Sequence, residues 1–138
     1  MKNLSVLLKT SRPICWVIVP LILLRGWSAS GAGLTWPIML QALILSFPYC
    51  VFLYGINDIY DYRSDKINPR KKLIEGMVLK PKNRRFVKNA AMFAGFLLAV
   101  SALPAFNIAN FTGMVLLMFF SYYYSAPPLR LKERPPLD

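Results

Sequence analysis

Histidine is absent from this 138-residue chain, and cysteine occurs only twice. The lack of histidine excludes acid–base catalysis by imidazole and metal sites that are built on it. Cys15 and Cys50 both lie within apolar runs, where a thiol is typical of a small buried hydrophobic side chain. Their number and spacing argue against a disulfide framework and fit no cysteine metal motif.

Acidic residues are also scarce: six stand against 17 Lys and Arg, which gives a net charge of +11. Hydrophobic residues make up 56% of the chain, and they come in long blocks, a pattern that favours a membrane protein. We therefore predict an all-α, multi-pass transmembrane helical bundle, with Pro20 and Pro48 as kinks. The first block could instead be a signal peptide, but a second apolar block follows at once. The predicted spans are residues 13–27, 36–56, 86–106 and 108–124.

The basic residues predict the orientation of these spans. If four spans are drawn, sixteen of the 17 Lys and Arg fall on one side, and Arg25 alone lies on the other. The positive-inside rule makes the richer side cytoplasmic. We expect an integral protein of the cell membrane with both termini in the cytoplasm, where the cations also contact anionic lipid. Nucleic acid is not an expected partner, because the cations adjoin the spans and no nucleic-acid-binding motif is present.

Three of the six acids follow the second apolar block, within residues 57–65. On a helix, Asp58, Asp61 and Asp65 would share one face, with Asn57 one turn before Asp61. No cation stands three or four residues after any of them, so we expect a cation from outside this helix, most simply a divalent metal. Carboxylate and amide oxygens suit Mg2+, which often shares its remaining positions with phosphates. The alternative is a solvated acidic face in a cytoplasmic loop.

Two basic clusters accompany the acids. Arg70 and Lys71 follow them directly, and Arg130 and Lys132 follow Tyr124 after the fourth predicted span. Such cations could hold the oxygens of a diphosphate that is bound through Mg2+. Alternatively, the first cluster only fixes topology, and the second is an aromatic belt with a basic anchor. Aromatic residues of the spans could line an apolar cavity, although packing or lipid contact is their commoner role: Phe47, Tyr54, Phe119, Phe120 and Tyr123.

Taken together, these motifs strongly resemble the UbiA superfamily of intramembrane prenyltransferases. The resemblance rests on Asn-Asp-x-x-Asp-x-x-x-Asp at 57–65, on Asn-Pro-Arg at 68–70 and on Tyr-Ser-Ala-Pro-Pro-Leu-Arg-Leu-Lys at 124–132. Arg12-Pro13 before the first span also fits, so the resemblance covers nearly the whole chain. Tyr-Gly-Ile-Asn-Asp at 54–58 and Glu75-Gly76 are most similar to the branch that elongates carotenoids such as lycopene.

The resemblance implies a bundle of about nine spans, of which this chain carries four. It implies that a prenyl diphosphate binds through Mg2+ and that a lipophilic acceptor, either a carotenoid end group or an aromatic ring, is alkylated. The implied metal ligands are Asn57, Asp58, Asp61 and Asp65. The implied diphosphate-binding residues are Arg70, Lys71, Arg130 and Lys132. The implied catalytic residues are Asp58, Asp61, Tyr124 and Lys132.

The chain departs from that family in one respect. The family has a second Asp-rich motif after its sixth span, and the later acids of this sequence do not form one. We therefore expect the N-terminal part of a prenyltransferase, inactive without the C-terminal half. The alternative is a non-catalytic four-helix membrane fragment or accessory subunit that binds anionic lipid or a partner.

Overall fold

The computed structural model describes residues 2–68, 78–104 and 107–134. Within these ranges all regular structure is helical, which confirms the predicted all-α class. The α-helices are α1 (Lys2–Thr10), α2 (Ile18–Ala29), α3 (Trp36–Ile44), α4 (Phe47–Tyr60), α5 (Tyr62–Asp65), α6 (Arg84–Ser101) and α7 (Ile108–Tyr123). Short 3-10 turns stand at Pro13–Cys15, Pro81–Asn83 and Leu131–Glu133.

Only part of the predicted membrane topology is visible in these helices. Among the described residues, the segment Trp36–Tyr60 is long and apolar enough to cross a membrane by itself. Asn3–Thr10 and Pro13–Ala29 pass the same test only as a pair, bent by 55°. α6 begins with three cations within its first five residues, and α7 has 16 residues. The count of four spans therefore stays a prediction.

The helices are interrupted just before both proposed kinks. Pro20 and Pro48 each fall in the first turn of a helix, and a turn precedes each of these helices. A proline cannot make the helical bond to the residue four positions earlier, so it favours a break there. In the second predicted span the break lies at Leu45 and Ser46, and the Ser46 hydroxyl accepts the amide hydrogen of Phe47 at 2.5 Å.

The expected single helix through the acids is also interrupted. α4 ends at Tyr60, Asp61 has φ −95° and ψ 6°, and α5 adds one further turn. The amides of Asp61 and Asp65 still bond to the carbonyls of Asn57 and Asp61, at 2.9 Å each. The break separates Asp58, which belongs to α4, from the turn that carries Asp61 and Asp65. The expectation of three carboxylates on one helical face is therefore wrong in detail.

The core of the fold is the contact between α4 and α6. Ala91, Ala94 and Gly95 are buried on α6, and such small residues allow helices to approach closely. The backbones approach so closely that a Cβ on Gly55 would lie 3.3 Å from atoms of Val87 and Ala91. This contact fixes the position of α4 and therefore of the acids at its end.

Gly95→Val should destabilise this contact by about 1–3 kcal/mol, the usual cost of overpacking a tight core. A Cβ at Gly95 would stand 3.0 Å from Cε2 of Phe52, which is itself buried. Gly113→Val in α7 is the matched control, because a Cβ there meets nothing within 4 Å. Unfolding of both variants in detergent measures the difference, and equal stability would show that Phe52 gives way freely.

Polar side chains join α7 to the helices before it. Gln41 and Asn110 exchange amide hydrogen bonds of 3.2 and 3.1 Å, and the hydroxyls of Tyr49 and Ser121 lie 2.9 Å apart. Each such bond contributes modestly in a bilayer, about 0.6 kcal/mol on average. They hold the start of α7 against α3 and Ser121, near the end of α7, against the first turn of α4.

Candidate functional site

A cavity of about 540 Å3 opens where α4 ends. Side chains from widely separated parts of the sequence line it, and each described lining residue except Leu53 has a polar or charged group. The lining residues are Arg12, Leu53, Tyr54, Asn57, Asp61, Ser64, Asp65, Asn68, Tyr124 and Lys132. Segments that are far apart in the sequence therefore meet at one site, as the diphosphate hypothesis requires.

Most of the predicted site residues are brought together here. Asn57, Asp61, Asp65, Tyr124 and Lys132 all line the cavity. The two other predicted residues that the structure describes, Asp58 and Arg130, stand next to it and not on its wall. The remaining two, Arg70 and Lys71, lie outside the described residues.

Asp58 is fully buried under the cavity. Its Oδ1 atom lies 3.8 Å from Nη2 of Arg12, which itself faces the cavity. The Arg12 guanidinium also stacks on the ring of Tyr54, with its carbon 4.2 Å from the ring centroid. A buried carboxylate needs such a cation, because desolvating an unpaired charge is costly. Asp58 therefore holds Arg12 in position.

Asp61 faces the segment that follows α7. Its carboxylate forms an ion pair with Nζ of Lys132 and lies 4.0 Å from Nη2 of Arg130. Arg130 also pairs with Glu133 at 2.6 Å. The prediction that a cation from outside the helix neutralises these acids is confirmed for Asp58 and Asp61, and the cations seen here belong to the protein itself.

Ser125 fixes the orientation of Asn57. The serine hydroxyl donates to Oδ1 of Asn57 at 2.7 Å. A carbonyl oxygen has two lone pairs, so Oδ1 can accept this bond and still coordinate an ion. This contact ties the loop after α7 to the last turn of α4.

Both arginines near the acids have a left-handed backbone. Arg12 has φ 51° and Arg130 has φ 43°, a conformation that costs a non-glycine residue about 1–2 kcal/mol. Such strain is often found at functional sites. The Nε atom of each arginine is buried and has no hydrogen-bond acceptor among the described residues. Each therefore has a donor left over for an anion.

The donors at the cavity suit Mg2+ only in part. No group of three or more His, Cys, Asp or Glu within the described ranges is placed to hold one metal ion. Mg2+, however, commonly takes one or two carboxylates and completes its shell with water and phosphate. Asp61 and Asp65, with the amide oxygen of Asn57, form a donor set of that kind.

Several lining residues were not identified as site residues from sequence. Arg12 was noted only as part of an Arg-Pro pair, yet it contacts Asp58. Ser64 carries no signal of its own beyond its nearness to the acids, and Asn68 belongs to the Asn-Pro-Arg motif but was assigned no role. Of the five aromatic residues considered, Tyr54 lines this cavity, whereas Phe47 packs against Trp16 with ring centroids 5.1 Å apart.

The sequence also matches known proteins. The UbiA prenyltransferase family model matches residues 17–138. A protein named lycopene elongase/hydratase from Corynebacterium glutamicum is 33% identical over 145 residues, which cover 100% of this chain and 48% of that protein. One of the same name from Haloarcula japonica is 36% identical over 141 residues, with 98% and 46% covered.

A third relative, from Dietzia sp., is named C(50) beta-cyclic carotenoids biosynthesis protein LbtBC. It is 33% identical over 142 residues, which cover 98% of this chain and 31% of that protein. The chain spans about half the length of the first relatives that it matches. No solved structure is significantly similar to it.

Proposed function

Since the chain belongs to the UbiA prenyltransferase family, we propose that it forms part of an enzyme that transfers a prenyl group from a prenyl diphosphate to a carotenoid. The names of the relatives support a carotenoid acceptor over an aromatic ring. The cavity at the end of α4 is the proposed site of transfer. An integral position in the cell membrane, with both termini in the cytoplasm, is part of the same proposal.

The observation that carries this proposal is the charge balance of the cavity. Among the described residues, Arg12 and Lys132 face Asp61 and Asp65, so this part of the lining is formally neutral. A diphosphate entering alone would meet two carboxylates as well as two cations. A divalent ion that binds the carboxylates would turn them from a repulsive surface into an anchor for the diphosphate.

We propose that Asn57, Asp61 and Asp65 hold Mg2+ directly. Asp58 stays a predicted ligand, although in this structure its buried carboxylate contacts Arg12 and does not line the cavity. When bound, Mg2+ would supply the charge that stabilises the leaving diphosphate. The predicted roles of Arg70 and Lys71 in holding phosphate oxygens stay predictions as well.

The basic residues would act on the diphosphate itself. Lys132 now pairs with Asp61, and once that carboxylate binds a metal ion the ammonium group is released to a phosphate oxygen. Arg12 and Arg130 each have a free Nε donor next to the same space. Tyr124 lines the cavity, where its hydroxyl could donate to the leaving group. Donors placed where negative charge develops are a large source of rate enhancement.

The apolar part of the cavity would protect the reacting carbon. Leu53 and Tyr54 form that wall, and an electron-rich aromatic face stabilises nearby positive charge. As the allylic C–O bond breaks, the diphosphate would leave and the acceptor's double bond would attack the cationic carbon. The new cation on the acceptor would then lose a neighbouring proton to the departing diphosphate, which leaves a double bond in the product. The exclusion of water keeps that carbon from being hydrolysed.

We also propose that turnover needs a second Asp-rich segment that this sequence does not contain. The family resemblance implies such a motif, and the remaining acids, Glu75, Glu133 and Asp138, do not form it. The other half of the longer relatives is its expected source.

The test uses membranes that contain the complete gene product, supplied with labelled dimethylallyl, geranyl or geranylgeranyl diphosphate. We expect label in a carotenoid that is longer than the acceptor, with lycopene as the first acceptor to try. Membranes without the protein are the control. Label in an aromatic lipid would redirect the acceptor assignment, and no labelled lipid from any donor would refute prenyl transfer.

A further inference from the structure

A second cavity, of about 460 Å3, lies on the other side of α4 from the first. It is built by the end of α4, the start of α6 and one residue of α7, and it shares no lining residue with the cavity that contains Asp61. Its principal side chains are Ile59, Tyr60, Arg84, Arg85, Lys88 and Tyr122. The prenyl transfer proposed above does not use it.

The charge of this second cavity is all of one sign. Arg84, Arg85 and Lys88 line it, and none of the acids that the structure describes does so. Arg84 donates to the carbonyl of Ile59 at 2.7 Å and so braces the end of α4. Arg85 and Lys88 are exposed, and like charges at this helical spacing repel each other. An anion in the cavity would relieve that repulsion.

Two tyrosines add hydroxyl groups to the same wall. Tyr60 of α4 and Tyr122 of α7 both line the cavity. Neutral hydroxyls can bond to phosphate or glycerol oxygens without opposing their charge. The cavity thus offers both cationic and neutral donors, and unlike in the first cavity no carboxylate of the described residues lines it.

An apolar groove of about 430 Å3 adjoins this cavity. Met92 and Tyr122 line both, so the basic end continues directly into the groove. Phe52, Phe96, Met118 and Phe119 form the rest of the groove between α6 and α7. Phe96 and Phe119 are exposed in this chain, as is usual for side chains that face lipid.

We propose that the basic cavity and its groove bind one anionic phospholipid. The phosphate head contacts Arg84, Arg85 and Lys88, and an acyl chain lies in the groove. Basic cavities between spans on the cytoplasmic side are known to take acidic head groups. The inference shares with the proposed function the location in a membrane, but it does not depend on prenyl transfer.

A phospholipid fits better than a free phosphate or a prenyl diphosphate. A free phosphate would leave the adjoining groove without an occupant. A prenyl diphosphate would need all three cations to balance its full charge, but Arg84 already donates to the Ile59 carbonyl. No carboxylate among the described lining residues could hold the Mg2+ that such a group usually brings. A phosphodiester with a single negative charge and long chains matches both parts of the site.

The experiment measures lipid binding to the purified protein by native mass spectrometry, in an uncharged detergent that has no membrane surface field. We expect phosphatidylglycerol to bind at least roughly tenfold more tightly than phosphatidylcholine with the same chains. The double substitution Arg85→Gln with Lys88→Gln should lower the affinity for phosphatidylglycerol by roughly tenfold or more, the effect expected from the loss of two cations. Ala99→Trp, at an exposed groove position, should weaken both lipids.

Lys80→Gln with Lys82→Gln is the matched control, because it removes the same charge from exposed neighbours that do not line the cavity. Asp61→Asn should leave phosphatidylglycerol binding unchanged, which separates this site from that of prenyl transfer. Equal binding of the two lipids would overturn the proposal. The proposal would also be overturned if the cavity and control double variants lost equal affinity for phosphatidylglycerol. The same holds if geranylgeranyl diphosphate bound as tightly as phosphatidylglycerol in the absence of Mg2+.

Discussion

Replacing Asp61 with asparagine should lower kcat/KM for prenyl transfer by roughly 100- to 1,000-fold, the usual cost of losing one preorganised electrostatic contact to the reacting charge. Asp61 lines the cavity, and Lys132 and Arg130 both approach its carboxylate. Asparagine has the same shape but no charge, so it should bind Mg2+ weakly and release Lys132. The change is measured in membranes with the complete gene product, at saturating acceptor and varied Mg2+.

Glu133→Gln is the matched control for this substitution. Glu133 also pairs with Arg130, but it is exposed and does not line the cavity. We expect Glu133→Gln to change the rate less than threefold, because an exposed pair contributes at most about 1 kcal/mol. Chelation of Mg2+ should abolish prenyl transfer by the unmodified protein. It should change the rate of Asp61→Asn little, because that variant has already lost most of its Mg2+-dependent activity. Full activity of Asp61→Asn would contradict the assignment of this cavity.

The contact between the acids after α4 and the cations after α7 could be predicted from local sequence patterns. Acids that follow one apolar block and cations that follow another belong to the same side of a membrane when the spans between them are even in number. The structure does place Lys132 against Asp61 and Ser125 against Asn57. This agreement rests on segment order and charge sign, two properties that can be read directly from a sequence.

The different positions of the three aspartates could not be predicted from segment order and charge sign. Helical spacing treats Asp58, Asp61 and Asp65 as equivalent, yet the backbone leaves the helix at Asp61 and turns the latter two toward the cavity. All three carboxylates are buried, but Asp58 lies off the cavity wall and pairs with Arg12, 46 positions earlier in the chain. The spacing of residues within one helix carries no information about contacts with side chains from other parts of the chain.

α4 contributes different residues to the two cavities, an arrangement that sequence patterns do not reveal. Leu53, Tyr54 and Asn57 face the cavity with acidic residues, whereas Ile56, Ile59 and Tyr60 face the basic one. A ligand in the basic cavity would contact the end of α4, which directly precedes Asp61. Binding there can change prenyl transfer only if it favours one arrangement of that helix end over another.

Replacing Arg12 with methionine should lower the free energy of unfolding by about 3 kcal/mol, the lower end of the cost of breaking a buried ion pair. Asp58 is fully buried, and Arg12 is only 18% exposed in its side chain. The pair is long, at 3.8 Å, which is why we take the lower value. Methionine keeps the apolar stem over Tyr54 and removes only the charge.

The second substitution in this test is Asp58→Asn, which removes the charge that Arg12→Met would leave buried. We expect the double variant to recover more than half of the lost stability, because removing both charges of a buried pair is far less costly than removing one. Arg25→Met is the control, since it removes an equal charge from an exposed position. Unfolding in mixed detergent micelles measures all four proteins. Equal losses from Arg12→Met and Arg25→Met would show that Asp58 does not depend on Arg12, and the positioning role of the pair would then be rejected.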